Sequence, residues 1–133
     1  MDFGIATATD RLHLTVPGEV KGKAAYMAPE QAQGQRVDRR ADIYAVGGVL
    51  FEALTNRRPF EGSGFVELAT QQVLSAAPTP RKHRPEIPPD LEAIVLRALA
   101  KSPDDRFPTG RAMANETNAT VLLTGGRFLR RPV

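Results

Sequence analysis

The side chains available for chemistry in this sequence are few in kind. There is no cysteine, and His13 and His83 are the only histidines. Thiol catalysis, disulfide scaffolds and thiolate zinc sites are therefore excluded, and a multi-histidine metal site lacks ligands. Carboxylates, hydroxyls and guanidinium groups remain, and they fall into short patterns in a fixed order. Asp2-Phe3-Gly4 opens the chain, and Ala28-Pro29-Glu30 follows a Thr-rich stretch. Asp38-x-x-Ala41-Asp42-Ile43-Tyr44-x-x-Gly47 leads a long apolar run. Leu99-Ala100-Lys101-Ser102-Pro103-x-x-Arg106-Phe107 closes a later amphipathic one. A carboxylate such as Asp2 suits Mg²⁺ beside phosphate. Two or more such ligands are normally needed, and no second one is identifiable near it.

The elements that must carry these patterns are helices. Residues 1–25 are rich in Thr, Gly and short polar residues and read as an irregular loop, with at most one short strand around residues 12–16. Pro29 suits the first position of a short helix, where its missing N–H costs nothing, and Gly34 stops it. Residues 38–56 read as the main helix, with Asp38 as N-cap and Asn56 at its end. Between Ile43 and Leu54 the only charged side chain is Glu52, so this helix belongs in the middle of a core. Gly47 and Gly48 each cost about 1 kcal/mol against Ala in a helix, which implies a closely packed neighbour.

Arg57-Arg58-Pro59-Phe60 breaks that helix, and Ser63 is a candidate cap for a second one carrying Phe65, Val66, Leu68, Ala69 and Val73. Residues 76–89 hold five prolines and form a loop. Leu91, Ile94, Val95, Ala98 and Leu99 then follow the i, i+3, i+4, i+7, i+8 spacing of an amphipathic helix, ended by Pro103. Thr109 caps a last helix with Ala112 and Met113 inward, and the pattern fades beyond Ala119. The fold class is mainly α.

Composition sets the outer bounds. At 133 residues, one domain is expected. Apolar residues make up 41% and charged residues 25%, which argues against disorder or a fibrous role. A net charge of +3 does not by itself imply nucleic acid. No run approaches the 18 or so apolar residues of a membrane span. The N-terminus lacks the basic-then-apolar pattern of a signal peptide, so a cytoplasmic location is the default expectation.

In their order and spacing, the four patterns resemble the protein-kinase signature from D-F-G onward. Residues 22–31 and 85–107 are similar to bacterial Ser/Thr protein kinases of the eukaryotic type. The resemblance covers residues 2–115 or so. It implies the helical C-lobe of the protein-kinase fold, truncated, preceded by an irregular activation segment. The partial kinase domain would span 1–119, with the activation segment at 2–30, the helical lobe at 29–119 and a poorly anchored basic tail at 120–133.

The resemblance also assigns roles. Asp2 would hold magnesium on the ATP phosphates of an intact kinase. Thr7, Thr9 and Thr15 become phosphorylation candidates of the activation segment, where nearly two added negative charges could order the loop through arginines. Ordinary polar loop residues are the alternative. Gly22 and Lys23 form the substrate-docking segment. Many Ser/Thr kinases carry a threonine after that glycine, and Lys23 cannot copy its hydroxyl. Glu30 and Arg106 match a buried structural ion pair. Asp42 matches an aspartate that holds the catalytic loop, although a carboxylate at a helix N-terminus is stabilised there anyway.

The Gly-rich loop, the ATP lysine and its glutamate partner, and the catalytic loop all precede D-F-G in the family, and this chain carries none of them. The leading expectation is therefore a C-lobe of a Ser/Thr kinase that is inactive alone and binds neither ATP nor magnesium by itself. Its partners would be protein substrates or another kinase chain. The alternative is a non-catalytic remnant acting as a protein-interaction module through the helix at 63–75. Met1 is open to two readings: a genuine start, or an internal methionine preceding D-F-G. The basic clusters at 81–84 and 127–131 have no interleaved stacking aromatics, so no nucleic-acid role is expected. With its preceding helix and catalytic loop missing, the main helix is expected to expose a flank near Gly47, Gly48 and Phe51.

Overall fold

The computed structural model describes residues 24–124. Asp2, Thr7, Thr9, Thr15, Gly22 and Lys23 lie outside the described residues, as does the basic stretch at 127–131.

The described chain is helical throughout, with no strand among the described residues. Its elements are α1 (Pro29–Ala32), α2 (Arg40–Thr55), α3 (Phe65–Leu74), α4 (Pro89–Ala98) and α5 (Gly110–Thr124). Short 3₁₀ turns at Pro80–Lys82 and Pro103–Asp105 flank α4. Helix α4 lies at the centre, packed against α2 on one side and α5 on the other, while α3 packs on α1. The main core joins Ile43, Tyr44, Phe51 and Leu54 of α2 to Leu91, Ile94, Val95 and Ala98 of α4, with Phe107 and Met113 closing it from the C-terminal side. A smaller cluster of Ala24, Phe60 and Leu68 seats α3.

Local chemistry sets most of the helix ends. Helix α2 begins at Arg40 with Arg39, not Asp38, at its N-cap, and the Asp38 carboxylate two residues before the helix accepts the Arg40 amide at 2.8 Å. The Arg40 guanidinium bound to that carboxylate holds Asp38 down to about 2. Asn56 ends α2 in the left-handed region at φ 63°, its N–H donating to the Glu52 carbonyl at 2.7 Å. Asparagine tolerates that conformation better than most residues. Pro89 sits in the first turn of α4. The Thr109 hydroxyl accepts the Ala112 amide at 3.0 Å and caps α5.

Some sequence expectations are corrected. Ser63 does not cap α3, which starts at Phe65 after Gly64; the Ser63 amide and hydroxyl instead both donate to the Glu67 carboxylate. Helix α4 ends at Ala98, ahead of Pro103. Helix α5 continues past Ala119 to Thr124.

The exposed flank of α2 is also elsewhere. Gly47, Gly48 and Phe51 are buried, and the exposed large apolar residues of the helix are Val46 and Val49. The glycines are covered because they admit neighbours. A Cβ on Gly47 would lie 2.8 Å from the Ala98 Cβ of α4, and one on Gly48 would lie 3.0 Å from the Tyr26 ring.

Gly47→Ala should therefore destabilise the fold although alanine is the better helix former. Overpacking costs about 1–3 kcal/mol, against a propensity gain of about 1. Gly110→Ala, with nothing within 4 Å, is the control. Thermal melts should show a lowered Tm for the first variant and not for the second.

Candidate functional site

Glu30 and Arg106 are brought together from opposite ends of the described chain. Helix α1 begins with Pro29, and the Gln31 side chain reaches back to accept the Ala28 amide at 2.9 Å. This short turn aims Glu30 inward, where it is 4% exposed. The 3₁₀ turn at Pro103–Asp105 delivers Arg106 in extended backbone at φ −86°, ψ 177°. The two side chains meet in a fork: Nη1 to Oε2 and Nη2 to Oε1, both at 2.8 Å.

The other Arg106 donors go to backbone. Nε donates to the Ala100 carbonyl at 2.8 Å, Nη1 also to Arg40 at 2.9 Å, and Nη2 also to Lys101 at 3.1 Å. All five guanidinium N–H groups are therefore engaged. The Tyr44 ring lies under the guanidinium, 4.9 Å from its carbon. Burying two charges costs several kcal/mol each. Bidentate pairing and complete donor satisfaction are the conditions under which that cost is offset.

A second polar set lies beside this pair. Gln72 of α3 is 1% exposed, and its Nε2 donates to the carbonyls of Ala24 at 3.1 Å and Ala25 at 3.0 Å. The Tyr44 hydroxyl donates to Gln72 Oε1. Lys101 Nζ donates to the Tyr44 hydroxyl at 3.4 Å and sits 4.6 Å from the centre of the Phe60 ring. Burial pushes the Tyr44 hydroxyl up. Burial, and then the Arg106 charge, bring the Lys101 ammonium down to about 8. On the outer side the Tyr26 hydroxyl donates to the Glu52 carboxylate. Burial and that carboxylate raise the Tyr26 pKa.

Of the residues singled out from the sequence, Glu30 and Arg106 are thus joined. Asp42 is exposed in the first turn of α2, and no described residue hydrogen-bonds its carboxylate. Arg81 and Arg84 of the 81–84 cluster are partly occupied by structure: the Arg81 amide donates to Glu92, and Arg84 Nη1 donates to the Leu54 carbonyl at 3.1 Å. Sequence reasoning missed Gln72, Lys101, Tyr26 and Glu52. Gln72 had one available signal, its place four residues after Leu68 on the buried face of α3. Among the described residues no group of three or more His, Asp or Glu side chains could hold a metal, so no magnesium step is assigned to them. No described helix is long and apolar enough to cross a membrane.

The comparisons with known proteins agree with this architecture. The protein kinase domain family model matches residues 1–117, and the chain belongs to the protein kinase family. Bacterial kinases are among its curated relatives. The tyrosine-protein kinase MasK of Myxococcus xanthus is 50% identical over 98% of this chain and 21% of its own length. The Ser/Thr-protein kinase pkn3 of the same species is 42% identical over 90% of the chain and 23% of its length. The Ser/Thr-protein kinase PknB of Mycolicibacterium smegmatis is 44% identical over 85% of the chain and 18% of its length. The chain spans about a fifth of the length of the relatives it matches. With no strand among the described residues, it corresponds to the helical C-lobe of a bacterial kinase of the eukaryotic type.

The half-buried Lys101 should make stability pH-dependent. Its folded value of about 8 lies below the ordinary 10.5, so between the two the unfolded chain binds more protons. Lys101 should therefore make stability rise with pH across that window and contribute no slope below it. Denaturant unfolding at a series of pH values should show a flatter profile for Lys101→Met than for the natural chain. Equal slopes would contradict the assignment.

Proposed function

We propose that these residues supply the helical, substrate-side lobe of a protein kinase that transfers the ATP γ-phosphate to a protein hydroxyl. The observation that carries this reading is the buried fork between Glu30 and Arg106, which fastens the A-P-E end of the activation segment to the loop before the last helix. In an intact kinase Asp2 would hold magnesium on the phosphates, and Gly22 and Lys23 would face the substrate. Thr7, Thr9 and Thr15 are the proposed phosphorylation sites of that segment. The chain contains neither a Gly-rich loop nor a catalytic-loop aspartate, so on its own it is incompetent in transfer.

The acceptor class is proposed from the relatives named Ser/Thr kinases, because the docking segment itself departs from the usual Ser/Thr pattern. Lys23 stands where many Ser/Thr kinases carry a threonine, and one relative is named a tyrosine kinase while others are named Ser/Thr kinases. Ser/Thr is the proposed acceptor, and phosphoamino-acid analysis decides it. A second reading, a non-catalytic interaction module, is favoured by α3, whose Val66 and Leu74 are exposed. The partner in either case is a protein substrate or another kinase chain.

The test has two arms. The purified chain with Mg-ATP and a generic protein substrate should transfer no phosphate above a boiled control, and Asp2→Ala should change nothing. A hybrid should transfer phosphate and lose the activity on Asp2→Ala. It joins the kinase-domain segment that precedes the matched stretch in MasK to this chain. Transfer by the chain alone would overturn the incompetence. A folded hybrid without transfer would overturn the lobe assignment and favour the module.

A further inference from the structure

We propose that Gln72 is a positioning residue for the docking segment: its buried carboxamide fixes the backbone immediately after Gly22 and Lys23 by holding the carbonyls of Ala24 and Ala25. The inference rests on the kinase reading of that segment. It goes beyond that reading by placing control of the segment on α3.

Hydrogen-bond polarity carries the argument. Lys101 can only donate, so its contact with the Tyr44 oxygen at 3.4 Å makes that oxygen an acceptor. The Tyr44 hydroxyl proton is then directed to Gln72, whose Oε1 accepts it. With the amide oxygen committed, its nitrogen must face the other way. There its two hydrogens meet the carbonyls of Ala24 and Ala25 at 3.1 and 3.0 Å. Every donor in this relay points toward the Ala24–Ala25 backbone, from Lys101 through Tyr44 and Gln72 to the two carbonyls.

Burial makes the arrangement specific. Tyr44 and Gln72 are each 1% exposed, Ala24 is fully buried, and Ala25 is 1% exposed. Water has little access to replace a missing donor there, and a buried carbonyl without its partner carries a full desolvation penalty. A side chain of the same size without N–H groups would leave two such carbonyls, and the chain would leave this position to hydrate them. Helix α3 is otherwise held to this region by Leu68 packing with Ala24 and Phe60, contacts that confer no direction on the Ala24 and Ala25 carbonyls.

Limited trypsin digestion of the 133-residue chain reads this directly, because Lys23 immediately precedes Ala24. Cleavage after Arg57, an exposed loop residue, serves as the internal reference. Gln72→Met keeps the volume and removes both donors. Gln72→Glu keeps the shape and the acceptor for Tyr44 but turns an oxygen toward the carbonyls. Both should raise cleavage after Lys23, relative to cleavage after Arg57, by about tenfold, the effect of losing about 1.4 kcal/mol of hydrogen bonding. Tyr44→Phe removes only the hydroxyl that orients the amide and should give a smaller rise in the same ratio. It also serves as the second variant if Gln72 variants fold poorly. A packing role alone would leave Gln72→Met unchanged. An unchanged ratio in all three variants, or a parallel rise after Arg57, would overturn the proposal. The readout needs no phosphate transfer, so a catalytically silent chain does not decide it.

Discussion

Arg106 places a permanent positive charge where no water reaches it, and the surrounding chain is arranged to satisfy it. Its side chain is 0% exposed, and its donors reach Glu30, Ala100, Lys101 and Arg40. One group thus fixes α1, the start of α2 and the turn after α4. Removing either charge leaves the other buried without a partner, which is far more costly than the net value of the intact pair. The constraint is geometric as much as energetic. A forked carboxylate–guanidinium contact has one good orientation, so the turn that carries Glu30 must return to one place.

The rest of the lobe accommodates that placement. Tyr44 lies under the guanidinium and donates its hydroxyl hydrogen bond to Gln72, so the charged centre and the Ala24–Ala25 carbonyls belong to one buried polar system. Lys101 adds a second cation beside Arg106 and has its proton affinity lowered as a result, with burial the larger cause. Aromatic faces also meet cations: Lys101 lies over Phe60, and Arg97, which also pairs with Glu116 at 3.5 Å, lies over Phe107 at 4.2 Å. Helix α2 can run through this assembly because Gly47 lets Ala98 approach and Gly48 lets Tyr26 approach.

How much of this was legible in the sequence depends on the range of each interaction. The helices were legible because their signals are local: apolar spacing in α4, the Thr109 cap of α5, and the proline and glycine that bracket α1. The Glu30–Arg106 contact spans 76 positions, and no local pattern announces it. It was readable only because both ends sit in motifs of a known family. Ser63 misled because the helix starts one position later than its cap would require, with Gly64 at the N-cap, and the Ser63 amide and hydroxyl both turn to the Glu67 carboxylate. The glycine pair supported two conflicting inferences, close packing and an uncovered flank. The structure has the packing at Gly47 and Gly48, and the exposure at Val46 and Val49. Gln72 was passed over because a polar residue on an apolar helix face reads as an interruption until its partners are known.

The central claim is that the fold depends on the coupling between Glu30 and Arg106, and a double-mutant cycle measures that coupling. Denaturant unfolding of the natural chain, Glu30→Ala, Arg106→Ala and the double variant gives the four free energies. Each single variant should lose about 3–5 kcal/mol. The double variant should lose less than their sum by about 1–3 kcal/mol, because it leaves no charge stranded. Losses that simply add, to within about 0.5 kcal/mol, would contradict the account.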